Sequence, residues 1–122
     1  MSTSEIATVL AWHDALSGAD LDTLVSLSSD DIEIGDAHGA AQGHAALRTW
    51  AQRTDATIEV GAIYYRHGVV VVEERITPHH GEAGTAASAF RVVEDHVTAL
   101  FRHDDLAAAL AATEMTDADL QA

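Results

Sequence analysis

The chain has 122 residues and no cysteine, which excludes disulfides, thiolate zinc sites and a cysteine nucleophile. Twenty acidic residues stand against six arginines and no lysine, a formal net charge of −14. That field repels phosphate backbones and anionic lipid, so nucleic acid and membrane surfaces are not expected as partners.

Hydrophobic residues make up 48% of the chain, enough for a packed core rather than disorder. The length suits a single domain over residues 1–122. The sequence holds no twenty-residue apolar run, and "MSTSEIATVL" lacks the basic start and long apolar stretch of a signal peptide. A cytoplasmic bacterial protein is the expectation.

In chain order, Ser2 and Glu5 have capping-box spacing and open a helix over about Ser4 to Ser17. Ile6, Val9, Leu10, His13 and Leu16 form its apolar stripe, with Trp12 beside it. Gly18 ends that helix, and Asp20 caps a second one carrying Leu21, Leu24, Val25 and Leu27. A strand over Asp31 to Asp36 follows, then "AHGAAQGH" as loop, then a third helix from Ala45 to Arg53.

From Ala56 the pattern turns extended. "TIEVGAIYY" and "VVVVEERIT" read as strands joined by "RHG", and "AASAFRVVE" and "HVTALFRH" as a second hairpin through Glu94 and Asp95. "DDLAAALAAT" reads as a short helix capped by Asp104 or Asp105, and residues 113–122 as a frayed tail. Helices grouped before an antiparallel sheet indicate an α+β fold with helices on one face. The run Val69 to Val72 does not alternate, so its strand should be covered on both faces. With helices on one side, a second subunit on the other gives a homodimer through the sheet as the expectation.

Alternation also assigns faces. Ile32, Ile34 and Asp36 share one parity, so Asp36 points inward if the isoleucines do. Val70, Val72, Glu74 and Ile76 share another face, and one of Glu73 and Glu74 must point inward. A carboxylate in an apolar pocket has a raised pKa, which suits a general base near neutral pH. The alternative for Asp36 is an acid that caps the following loop. For Glu74 it is an ion pair with an arginine such as Arg91 across strands, or a bulge that turns it out.

His13 lies on the first helix's apolar stripe, as a core histidine or a cavity wall, and His103 shares parity with Val97, Ala99 and Phe101. Trp12, Trp50, Phe90 and Phe101 would wall a cavity for a flat apolar ligand, or fill a core. Asp36, His38, His44, His79 and His80 lack the spacing of a metal set, and no metal is expected. Without a phosphate loop, nucleophile elbow or dinucleotide fingerprint, no cofactor is expected either, and any catalysis would be acid–base work.

The stretches "WHDALSGADLDTLVSLSSDDIEIGD", "GHAALRTW" and "HVTALFRHDDLAAAL" resemble the NTF2-like superfamily, the group of SnoaL-like cyclases, ketosteroid isomerases and limonene-epoxide hydrolases. The resemblance runs from Ile6 to about Ala112. It implies a cystatin-like cone: a curved antiparallel sheet with the N-terminal helices on its concave face and a hydrophobic cavity inside. The isomerase pattern puts its catalytic base at Asp36 and its oxyanion donors where Trp12 and Ser88 stand. The resemblance also chooses Glu74 over Glu73 for the cavity.

The epoxide-hydrolase pattern meets Arg75 but finds Thr77 in place of its acid, with Arg102 near the expected second acid. The cyclase pattern pairs an inward acid with a histidine. The implied activity is a proton shift, cyclisation or hydration of a small hydrophobic carbonyl compound, with Asp36 as base. Ser88, Trp12 or His103 would polarise the oxygen, and His13, Trp50, Val72, Glu74, Phe90 and Phe101 would line the cavity. A non-catalytic dimeric module binding a small apolar ligand in the same cavity is the competing reading.

Overall fold

The computed structural model describes residues 2–54 and 56–121, with side chains from residue 4 onward, so the expected Ser2 cap lies outside the described side chains. Helix α1 (Ser2–Ser17) buries Val9, Trp12, His13, Ala15 and Leu16, while Leu10 turns outward. Helix α2 (Leu21–Ser26) starts at Asp20, whose carboxylate accepts from the Thr23 amide. Strand β1 (Ser28–Asp36) begins three residues before the expected Asp31.

The stretch read as loop holds a short strand, β2 (Gly39–Gln42), paired antiparallel with β1. Its glycine and alanines carry no strand propensity, and backbone pairing alone makes it a strand. Helix α3 (His44–Arg53) follows and buries Leu47 and Ala51.

Strands β3 (Ala56–Arg66) and β4 (Val69–Pro78) form the first expected hairpin. Its turn residues, His67 and Gly68, both have positive φ, as a two-residue turn matched to strand twist requires. Strands β5 (Gly84–Val93) and β6 (His96–His103) form the second, with Glu94 and Asp95 both at positive φ. The strand order is β2-β1-β6-β5-β4-β3, antiparallel throughout except for the β1–β6 pair, which is parallel.

Helices α1 to α3 cover one face of the curved sheet. There Trp12, Leu24, Ile32, Leu47, Val70, Val72 and Phe90 are almost fully buried. Each large apolar side chain removed from water in this way stabilises the fold by roughly 1.5–3 kcal/mol.

Helix α4 (Leu106–Thr113), capped by Asp105, lies on the opposite face. A second cluster forms there from Tyr64, Val71, Ala87, Ala109 and Met115. The valine run is thus covered on both sides, as alternation required, but by the chain's own α4. Double burial is therefore no argument for a second subunit.

The segment expected to fray is packed instead. Met115 is buried, Gln121 N donates to Ile63 O at 2.8 Å, and Leu120 bridges to Tyr64 along the edge of β3. Met115 closes the second cluster, so Met115→Ala is expected to lower unfolding free energy by about 2 kcal/mol in denaturant titration. An unchanged midpoint would mean that the segment adds no stability.

Candidate functional site

The register of β4 decides which glutamate faces the helices. Val70 and Val72 point toward α1, and so does Glu74, whose side chain is 1% exposed. Glu73 points to the opposite side, where its carboxylate approaches Gly61. Glu74 meets three partners. Oε2 lies 2.6 Å from His13 Nε2, Oε1 accepts from Ser88 Oγ at 2.6 Å, and Arg102 Nε stands 3.6 Å from Oε1.

The proton count in this cluster follows from the partners. His13 Nδ1 lies 3.0 Å from the Val9 carbonyl, which can only accept, so Nδ1 carries a hydrogen. The short Nε2–Oε2 contact then requires a second proton shared between imidazole and carboxylate. Burial acts most strongly on Glu74 and pushes its pKa up. The His13 hydrogen bond, the charges of Arg102 and His13, and the Ser88 hydrogen bond together outweigh it and hold the carboxyl below its ordinary value of 4.5. The balance of these effects favours the ionised carboxylate of Glu74.

Aromatic rings seal this cluster. Trp12 packs edge-on to Phe90 at 5.3 Å between ring centroids and His13 to Phe90 at 5.1 Å, while Trp50 lies 5.8 Å from Trp12. The Arg102 guanidinium sits 5.2 Å from the Trp50 ring centre, so one arginine links the buried carboxylate to the half-buried Trp50. Ser88 and Trp12 stand where substrate-polarising donors were expected, but both donors are engaged. Ser88 binds Glu74, and the Trp12 indole donates to Ser28 Oγ at 3.0 Å. Val72 and Phe90 are fully buried and fill the core.

Asp36 ends β1 on the inner face, in line with Ile32 and Ile34, and is half-buried at the rim. Its Oδ1 accepts from the amides of His38 at 2.8 Å and Gly39 at 3.2 Å, the loop cap foreseen as its alternative role. Asp36 also lines an open groove of about 270 Å3 with Trp50, His38 and Ala41. Glu74, His13 and Ser88 do not line that groove. The two inward acids thus occupy different places, one sealed inside and one at the mouth.

Phe101 and His103 are not in the interior. Thr98 is an extra residue in β6 opposite the Arg91–Val92 step, and it inverts the facing of every later residue. Val97 is therefore buried inside, while Phe101 is 41% exposed on the outer face with His103 stacked against it at 4.7 Å. There the Phe101 ring lies over Gly35 of β1, where a Cβ would come within 3.1 Å of it. The same bulge turns Arg102 inward beside Leu100, so Glu74 meets Arg102 and not Arg91, which is exposed, and nothing in the sequence signalled this.

No protein-family model matches the chain, and no curated protein is significantly similar to it. Solved structures do match. An NTF2-like protein of unknown function from Cytophaga hutchinsonii superposes with a TM-score of 0.75 at 13% identity, over 87% of this chain and 94% of that one. An epoxide hydrolase of the LEH-like kind from M. tuberculosis gives 0.70 at 20% identity, over 86% and 85%. A hypothetical protein with a ketosteroid isomerase-like fold from Catenulispora acidiphila, solved in complex with trimethylamine, gives 0.69 at 20% identity, over 89% and 93%. The chain therefore has the NTF2-like fold, and at these identities the similarity speaks for the fold alone. No helix among the described residues is long and apolar enough to cross a membrane.

The Glu74 cluster has a pH signature. A carboxyl held low in the folded state contributes stability that is present above its unfolded pKa and lost as pH falls through the folded value. Glu74→Gln is expected to cost about 3 kcal/mol at neutral pH, because it breaks a buried pair. The gap to wild type should narrow below about pH 4.5. Urea unfolding of both proteins across pH 3 to 7 checks this, and a gap independent of pH would contradict the ionised assignment.

Proposed function

We propose that the protein binds a small molecule at the mouth of its cone, in the groove between Asp36 and Trp50. The observation that carries this reading is the contrast between interior and rim. Inside, Glu74, Ser88 and Trp12 are buried and hydrogen-bonded to one another or to backbone-linked partners. At the rim, an indole and a carboxylate share an open groove. An apolar body against Trp50 with a polar or cationic group at Asp36 is the ligand such a groove suits. The net charge of −14 favours neutral or cationic molecules over anions. The trimethylamine complex of the C. acidiphila protein is an example of a small amine held by this fold.

The ligand test is thermal shift over a panel of hydrophobic carbonyl compounds and small amines. A ligand at one hundred times its Kd adds about 2.7 kcal/mol, a rise of several degrees in Tm. Trp50→Ala and Asp36→Asn are each expected to weaken that ligand about tenfold. Unchanged shifts in both variants would move the site elsewhere.

A second reading keeps Asp36 as general base for a proton shift, cyclisation or hydration of an apolar carbonyl compound. It is favoured by one observation: both hydrogen bonds to Asp36 fall on Oδ1, and Oδ2 has no partner among the described residues. Under this reading Asp36→Asn loses turnover by about 100-fold or more while affinity changes little, as stopped-flow and calorimetry would show. Equal turnover in wild type and Asp36→Asn removes Asp36 from any mechanism.

A further inference from the structure

The two edges of the sheet are finished differently. At the β3 edge, a bulge lies between Val60 and Ile63, Leu120 bridges to Tyr64, and Gln121 N binds Ile63 O. Bulges, charges and covering segments are the usual means by which a sheet edge is protected from further pairing. At the other edge, β2 has none of these. It reads Gly39-Ala40-Ala41-Gln42, is exposed along its whole length, and carries no charge, proline or bulge.

The backbone of this edge is open for pairing. Gly43 N donates to Ile32 O at 2.9 Å, in register with the β1–β2 ladder. In an antiparallel pair, residues alternate between bonding inward and bonding outward. Gly39 and Ala41 therefore bond to β1, and Ala40 and Gln42 direct N–H and C=O toward solvent.

Clefts flank the edge on both faces. On the outer face a cleft of about 270 Å3 is lined by Ala40, Gly35, Phe101, Ala99 and Glu33. On the inner face lies the groove of Ala41, Trp50 and Asp36. The adjoining stretch from Ser28 to Gln42 carries Asp30, Asp31, Glu33 and Asp36 and no arginine.

We infer that the free edge of β2 is a docking edge for an extended, positively charged peptide segment of a partner, which adds to the sheet as a further strand. Ala40 and Gln42 supply the main-chain hydrogen bonds. Alternate side chains of the peptide enter the two clefts, apolar ones on Phe101 and Ala40, basic ones between Asp36 and Trp50. Arg102 shows that the Trp50 ring accepts a guanidinium. The acids of β1 supply the charge complementarity that selects a basic strand.

This docking does not depend on the small-ligand reading, although the two share the inner groove. A small molecule there leaves the Ala40 and Gln42 amides exchanging freely.

The experiment uses the full chain and a short synthetic peptide alternating valine and arginine, with a block-ordered peptide of the same composition as control. Amide hydrogen exchange by NMR is expected to slow about tenfold at Ala40 and Gln42 with the alternating peptide only. Ala40→Pro, which removes an outward donor and leaves the β1–β2 bonds intact, is expected to weaken binding about tenfold. The inference is overturned if neither amide is protected, or if the block peptide protects them equally, which would be charge attraction alone. It is likewise overturned if protection rises with protein concentration without peptide, which would assign the edge to a second copy. If Ala40→Pro does not fold, the exchange data on the wild type decide.

Discussion

The fold turns on one buried carboxylate. Glu74 sits in the middle of the valine-rich strand β4, where an unpaired charge would cost several kcal/mol. Its partners come from three other elements: His13 from α1, Ser88 from β5 and Arg102 from β6. Four of the elements around the cone's interior, α1, β4, β5 and β6, are therefore tied to the same two oxygens. A slip of β4 by one residue would either set Arg75 among His13, Ser88 and Arg102 with no anion, or put Glu73 in the place of Glu74 and Arg75 in that of Ile76 on the helix-covered face. The valines alone would tolerate that slip, because Val69 to Val72 are apolar on both faces. Glu74 and the arginine that follows it supply the register that the hydrophobic pattern leaves open.

The same cluster explains why the interior is a poor place for chemistry in this chain. A nucleophilic triad needs a histidine between hydroxyl and acid, whereas here the acid stands between histidine and serine. Aromatic rings exclude water from all three groups. One fold of this kind serves many functions through differences in its site. In this chain the unspent polar groups and exposed aromatic surface lie at the rim and around the β1–β2 hairpin.

Much of this was legible in the sequence, for identifiable reasons. The hairpins were readable because "RHG" and the Glu94–Asp95 pair sit between apolar runs, and His67, Gly68 and Asp95 are residue types that tolerate positive φ. The inward direction of Asp36 followed from its parity with Ile32 and Ile34. Strand β2 was not readable, since glycine and alanine signal a loop and its pairing rests on the backbone alone. The facing of Phe101 and His103 was misassigned because nothing around Thr98 announces a bulge. The face taken by α4 was equally hidden. Its alanines are apolar all round, and only contact with Met115 and Val71 fixes it.

The parallel pairing of β1 with β6 has a consequence in time. Gly35 lies beside Phe101 and Ile34 beside Leu100, so the ladder joins segments separated by most of the chain. The pairs β3–β4, β4–β5 and β5–β6 are local hairpins or neighbours that close short loops. Contacts of long sequence separation carry the larger entropic cost and form after local ones. During synthesis, β1 and the helices around it therefore wait for β6 to emerge, and Ile32 and Ile34 stay exposed until it does. The N-terminal third of the chain is made first and completed last.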